Sequence, residues 1–193
     1  MAFSSLYWDK KYQSQQTGWD MGYASPPIVA YFEQVEHKNK RILIPGAGNA
    51  WEAEYLWKQG FENVFVMDYS KEALKNFRKR VPQFPLNQLI EADFFQCMDT
   101  YDIVVEQTFF SSLLPEQRQA YVQKILQLLK TNGRLIGLLF NHQFHKEYPP
   151  YGGSLAEYEK LFSPYFHIKV LKTAYNSIKP RANREVFLNL KKR

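Results

Sequence analysis

Arg41-Ile42-Leu43-Ile44-Pro45-Gly46-Ala47-Gly48-Asn49-Ala50-Trp51-Glu52 is the stretch that decides the fold. A short apolar run reads as a buried strand, and Gly46-Ala47-Gly48 breaks it before a helical pattern from about Ala50 to Gln59. Asn49 with Glu52 three residues later has the form of a helix N-cap box. A strand, a glycine turn and a helix in that order are the first half of a parallel β-α-β unit.

Working outward, the same alternation repeats. Val64-Phe65-Val66-Met67 reads as a second strand ending at Asp68, and Ser70 caps a helix with Ala73, Leu74, Phe77 and Val81 on one face. Leu86 to Ile90 and Tyr101 to Val105 read as strands three and four. Pro115 opens a helix striped by Val122, Ile125, Leu126 and Leu129, which Asn132-Gly133 closes. Arg134 to Phe140 is strand five, and Leu155 to Phe162 a last helix. Phe166-His167-Ile168-Lys169-Val170 and Val186-Phe187-Leu188-Asn189-Leu190, with no helix between them, read as an antiparallel pair at one edge. Strands alternating with helices predict a parallel sheet covered on both faces. The expected fold is α/β: a doubly wound, mostly parallel sheet of about seven strands, in one domain over residues 1–193. Residues 41–193 form its core. Residues 1–40 form a helical lid segment, whose one clear helix starts at Ser25-Pro26-Pro27 and buries Ile28, Phe32 and Val35.

Composition narrows the class. With 193 residues, 45% hydrophobic and 23% charged, the chain is long enough to bury a core without a metal or disulfide staple. The lone Cys97 excludes an internal disulfide, and no Cys/His cluster offers a metal site. No apolar run reaches a membrane-spanning length, and Met1 to Gln16 lacks a secretory pattern, so a soluble cytoplasmic protein, monomer or homodimer, is expected. The net charge of +6 is scattered and concentrates only in Lys191-Lys192-Arg193, too little for a nucleic-acid stripe.

Ligands of such sheets bind beyond the carboxyl ends of the strands, where Gly46 and Gly48 let the backbone approach closely. The dinucleotide fingerprint needs a glycine where Trp51 stands, and no Gly-Lys-Ser/Thr completes a phosphate loop. Asp68, at the end of strand two, is placed to accept ribose hydroxyls, and Asp93, after strand three, to meet an adenine amino group. An adenosine ligand without phosphates fits that pair, and S-adenosylmethionine is such a ligand. Trp8, Tyr12 and Trp19 lie four and seven residues apart in polar surroundings, and aromatic faces attract a sulfonium by roughly 0.5–2 kcal/mol each.

Tyr7-Trp8-Asp9-Lys10-Lys11-Tyr12, Thr17-Gly18-Trp19-Asp20 and Ser25-Pro26-Pro27 together resemble the thiopurine methyltransferase family, most of all its halide/thiol methyltransferases. Ile42 to Asn49 is similar to that family's Val-Pro-Gly-Cys-Gly loop, with Ala47 in place of Cys. Gln107-Thr108-Phe109-Phe110 and Tyr148-Pro149-Pro150-Tyr151-Gly152-Gly153 extend the likeness over nearly the whole chain. Tyr12 stands where many relatives have Trp, and Gln107 where the plant enzymes tend to have Tyr. The resemblance implies a Rossmann-like class I methyltransferase acting on a small molecule. It also implies that Trp8, Tyr12, Trp19, Gly46, Asp68, Asp93, Phe94 and Gln107 line the S-adenosylmethionine site. Gln107 and Tyr151 would position the acceptor.

Methyl transfer from a sulfonium asks mainly for alignment and dehydration of the acceptor. Gln107, Thr108, Phe109 and Phe110 are neutral, which favours soft, already anionic acceptors such as a thiolate, hydrosulfide or halide over alcohols. His142 and His145 are the candidate bases, Tyr148 and Tyr151 candidate walls of the acceptor pocket, and Arg181 and Arg184 either attract an anion or pair with Glu185. Nucleic-acid amino methyltransferases carry an Asn/Asp-Pro-Pro-Tyr turn after strand four, where this chain has Glu106-Gln107-Thr108-Phe109. Cys97 lies in the wrong loop for a cytosine-C5 nucleophile. A larger thiopurine-like or metalloid acceptor, and a non-catalytic S-adenosylmethionine-binding module, are the competing readings.

Overall fold

The computed structural model describes residues 3–193. Seven strands form one sheet in the order β3-β2-β1-β4-β5-β7-β6. They are β1 (Ile42–Pro45), β2 (Val64–Asp68), β3 (Leu89–Glu91), β4 (Tyr101–Gln107), β5 (Leu129–Phe140), β6 (Phe166–Thr173) and β7 (Glu185–Lys192). β1 to β5 pair in parallel, while β7 runs antiparallel between β5 and β6. The doubly wound sheet and its antiparallel edge are thus as the sequence predicts.

All four residues of β1 are buried because both faces of the sheet are covered. Ile42 and Ile44 join Ile28 and Phe32 of α2 (Pro26–Phe32), Ala53 and Leu56 of α3 (Trp51–Lys58) and Phe77 of α4 (Lys71–Arg80) on one face. Leu43 and Val104 join Tyr121 and Ile125 of α5 (Arg118–Leu128) and Phe162 of α6 (Leu155–Phe162) on the other. The chain leaves β1 toward β2 and β3 and returns on the other side at β4, so β1 and β4 flank the switch point where such sheets bind ligands.

Four local expectations change. Residues 86–88 form a 3-10 turn, leaving β3 only Leu89–Glu91. α5 stops at Leu128, and Leu129 already pairs with Tyr101 as the first residue of β5. Asn132-Gly133 therefore lies within a bulged strand, with Asn132 at φ 63°, rather than closing a helix. The Asn49/Glu52 box does not form: Ala50, at φ 53°, is the N-cap residue and its side chain caps nothing. Asn49 instead donates to Asp20, and buried Glu52 accepts from the Ser25 backbone N–H. Finally, a second helix, α1 (Ser5–Gln13), precedes α2.

Candidate functional site

α1 has no apolar stripe; what docks it is a carboxylate. Asp9 Oδ1 accepts from Ser70 Oγ at 2.6 Å and from the Glu72 backbone N–H at 3.1 Å, at the N-terminus of α4. Ser70 Oγ in turn accepts from Ala73 N–H, so one hydroxyl joins the α4 cap to α1. A negative charge here also meets the positive end of the helix dipole. Docked this way, α1 presents Trp8 and Tyr12 to Trp19, with edge-to-face ring separations of 5.6 and 5.9 Å.

The Trp19 turn is held from two sides. Asp20 accepts from Trp51 Nε1 at 2.7 Å, from Asn49 Nδ2 and from Gly22 N–H, tying the turn to the glycine loop. Arg181, buried beside β7, donates to the Trp19 carbonyl at 2.6 Å and pairs with Glu185 at 3.2 Å. That settles Arg181 as the partner of Glu185 rather than a free anion receptor.

In the glycine loop, Gly46 and Gly48 both sit at φ 55°, the left-handed region that L side chains avoid. A Cβ on Gly46 would fall 2.2 Å from a Phe109 ring carbon. One on Gly48 would fall 2.5 Å from the Tyr12 hydroxyl oxygen. Asp68 Oδ2 accepts from Gly48 N–H and Oδ1 from Ser70 N–H, each at 2.7 Å. Burial pushes the Asp68 carboxyl up to about 6, against the pull of those backbone donors. Burial, with Asp68 adding to it, pushes the Tyr12 phenol far up, so it stays protonated.

A cavity of about 310 Å3 opens beside this loop. On one side it is lined by Gly46, Met67, Asp68, Ala92, Asp93 and Phe94, the residues at and just beyond the ends of β1, β2 and β3. Opposite lie Thr108, Phe109, Ser111, Ser112, Leu113 and Gln117, which follow β4. Tyr7, Trp8, Lys11, Tyr12 and Trp19 of the N-terminal segment and Tyr148, Pro149 and Pro150 add to the wall. Thr108 takes φ 61°, costly for a β-branched residue, where the chain turns from β4 along the cavity. Buried Glu106 pins that turn by accepting from Phe110 N–H at 2.8 Å and Tyr121 O–H at 2.7 Å; burial raises its carboxyl to about 7.

Of the ten residues singled out from the sequence, Trp8, Tyr12, Trp19, Gly46, Asp68, Asp93 and Phe94 line this cavity. Gly48, Gln107 and Tyr151 do not. The Gly48 N–H is spent on Asp68 and its Cα lies beneath the Tyr12 hydroxyl. Side chains alternate along β4, so Gln107 shares the face of Ile103 and Val105, opposite Glu106 and Tyr121, and its Oε1 is buried without a partner. Tyr151 donates its hydroxyl to the Glu147 carbonyl while its backbone N–H donates to Ser111, leaving Tyr148, Pro149 and Pro150 to face the cavity. His142 and His145 lie outside the lining, so neither stands as a base there. The roles of Asp9, Asp20, Leu113 and Gln117 come from contacts 29 to 63 residues away or from the path of the loop.

The residues suit an adenosine ligand without phosphates: a carboxylate ends β2, another follows β3, and two glycines keep Cβ atoms out of the turn after β1. No cluster of His, Cys, Asp or Glu suited to a metal occurs among the described residues, and none of their helices is long and apolar enough to cross a membrane.

A sequence model of the thiopurine S-methyltransferase family matches residues 4–190. The probable thiol methyltransferase 2 of Arabidopsis thaliana is 31% identical over 166 residues, covering 83% of this chain and 73% of that protein. The thiocyanate methyltransferase 1 of the same plant is 27% identical over 162 residues, covering 81% and 71%. Among solved structures, the Burkholderia thailandensis 1,6-didemethyltoxoflavin-N1-methyltransferase superposes with a TM-score of 0.80 over 97% of this chain and 86% of that one, at 15% identity. At that identity the superposition speaks for the fold alone.

Proposed function

Because the chain belongs to the thiopurine S-methyltransferase family and is an S-adenosylmethionine-dependent methyltransferase, we propose that it methylates a small, soft, anionic acceptor, a thiolate, hydrosulfide or halide. One observation carries this reading. The cavity-lining residues of the acceptor wall, Thr108, Phe109, Ser111, Ser112, Leu113 and Gln117 with Pro149 and Pro150, include no carboxylate, imidazole or thiol, so the acceptor has to arrive as a nucleophile. A cavity of about 310 Å3, at the small end for ligand pockets, argues against a bulky acceptor sharing it with the cofactor. The names of the plant relatives, thiol and thiocyanate methyltransferases, point the same way.

S-adenosylmethionine supplies a methyl group already activated on a sulfonium sulfur. The protein's part is to hold, cover and dehydrate. Asp68 keeps one lone pair on each oxygen for ribose hydroxyls, Asp93 faces the adenine side, and Phe94 gives the base an apolar wall. Gly46 lets the backbone come close, and the Trp8, Tyr12 and Trp19 rings close over the sulfonium and exclude water. Gln107 then acts behind the wall rather than at it, and Tyr151 positions the acceptor only by anchoring its loop to Ser111. Residues 1–40 serve as a lid on the core at 41–193, in one cytoplasmic domain acting as a monomer or homodimer.

The test is headspace gas chromatography over purified protein given S-adenosylmethionine with iodide, bromide or hydrosulfide. Methyl halide or methanethiol, absent with Asp68→Ala, is the expected result. No volatile product, with S-adenosylhomocysteine still bound tightly, would replace this reading with a larger thiol or metalloid acceptor. Release of no S-adenosylhomocysteine with any acceptor would leave a binding module.

A further inference from the structure

An anion entering the cavity needs hydrogen-bond donors, and the wall after β4 looks rich in them until each proton is followed. Thr108 Oγ1 donates to the Gln107 carbonyl at 2.7 Å, Ser111 Oγ to the Thr108 carbonyl at 2.7 Å, and Ser112 Oγ to the Phe109 carbonyl at 2.6 Å. A hydroxyl has one proton, so these three turn only lone pairs to any ligand. The Lys11 ammonium, on the N-terminal side of the cavity and outside this wall, donates one of its three protons to Gln16 Oε1 at 2.9 Å and sits 5.6 Å from the Tyr7 ring centre.

Gln117 is arranged the other way round. Its backbone N–H donates to the Leu114 carbonyl at 2.9 Å, and its side-chain Oε1 accepts from Leu114 N–H at 3.1 Å. An N–H requires an oxygen opposite it, so the amide cannot be flipped, and Nε2 is the amide atom left without a backbone partner. That NH2 donates to no group among the described residues, and Gln117 lines the cavity. Pro115 stiffens the 3-10 turn that carries it.

We propose that the Gln117 amide is the fixed donor that receives the anionic acceptor, and that it sets the preference for an anion over a neutral nucleophile. The proposal rests on the soft-anion reading above. It gives the site a selectivity device without a titratable group: an amide donates equally well at any pH, so at this donor only the charge of the acceptor is read.

The experiment is steady-state kinetics at about pH 8, following S-adenosylhomocysteine release with iodide and with hydrosulfide, alongside calorimetric S-adenosylhomocysteine binding. Gln117→Leu removes the donor and is expected to raise KM for both anions about tenfold with kcat within about twofold, the loss of one hydrogen bond to a charged group. Gln117→Glu keeps an oxygen for Leu114 N–H, and hence the turn, but puts a like charge against the anion; KM is expected to rise further, by about a hundredfold. S-adenosylhomocysteine affinity should hold in both variants. An unchanged anion KM in Gln117→Glu overturns the proposal, as does a rise confined to Tyr7→Phe, which would move the donor to a phenol. Wild-type protein that turns over neither anion removes the functional reading itself, and the assignment of Gln117 falls with it.

Discussion

Asp68 is the residue on which pH should act with two opposite signs. Burial holds its carboxyl at about 6 against an ordinary value of 3.8. Because the folded value lies above the unfolded one, the folded chain binds this proton more tightly. The group's contribution to apo stability is therefore greatest below about pH 4 and is lost as pH rises through 6. The gap is worth about 3 kcal/mol at about 1.4 kcal/mol per decade. Cofactor affinity runs the other way. In the proposed site the carboxylate, which accepts from Gly48 and Ser70, also accepts from two ribose hydroxyls, and for that it must be ionised. At pH 5 only about one molecule in ten is ionised at this site, so S-adenosylhomocysteine should bind about tenfold more weakly than at pH 7.5.

The Asp68→Asn variant isolates the effect from Glu106, which titrates nearby at about 7. An amide oxygen can satisfy only one of the two backbone N–H groups at full strength, and its NH2 faces the other. The lost charge-assisted bond, about 1.5–3 kcal/mol, should weaken binding roughly tenfold to a hundredfold and leave it flat with pH. Calorimetry of S-adenosylhomocysteine at four pH values between 5 and 8, on both proteins, reads all of this. Wild-type affinity that does not change with pH, or a slope that persists in Asp68→Asn, would refute the ribose assignment.

Other perturbations separate the layers of the site. Asp9→Ala removes the bonds to Ser70 and Glu72; faster hydrogen exchange confined to residues 5–13, with S-adenosylhomocysteine binding about tenfold weaker, is expected. Gly46→Ala forces a Cβ into the Phe109 ring at φ 55° and should weaken binding at least tenfold, and Phe109→Ala in the same chain should restore part of it. If the double variant binds no better than the single, the clash is not the cause. Arg181→Met leaves Glu185 buried against Ser177 alone, and a loss of about 3 kcal/mol should lower the melting temperature by about 10 °C.

The parts of the fold that could be read from sequence are those whose local pattern and tertiary use agree. Ser70 caps α4 and Ala73, Leu74 and Phe77 are buried as their spacing predicts, and Leu155–Phe162 is a helix at the expected bounds, with Ser154 and Glu157 forming its capping box. Where the two disagree, the tertiary contact wins. Asn49 and Glu52 have the spacing of a cap, but Asp20 and Ser25 compete for them. Asn132-Gly133 has the form of a helix stop, yet the pairing of Leu129 with Tyr101 had already drawn the chain into the sheet. α1 escaped notice because its docking depends on one carboxylate rather than an apolar face. In the site, the residues at strand ends were legible because topology places them. Gln107 was expected at the site from the resemblance, against its own strand pattern: the period of two that buries Val104 on one face and Val105 on the other assigns Gln107 to the side of Val105. Gln117 was not legible, since nothing local tells which of its amide groups is free.

The bond from Arg181 to the Trp19 carbonyl spans 162 residues and joins one of the first turns of the chain to the approach of its last strand. During synthesis the aromatic segment leaves the ribosome early, but the guanidinium that seats it emerges with β7, the strand that also must insert between β5 and β6. The binding site is thus completed only after Arg181 has emerged and can reach back to Trp19. A chain ending before Arg181 has the glycine loop, Asp68 and the Asp20 tie but only one of the two holds on the Trp19 turn.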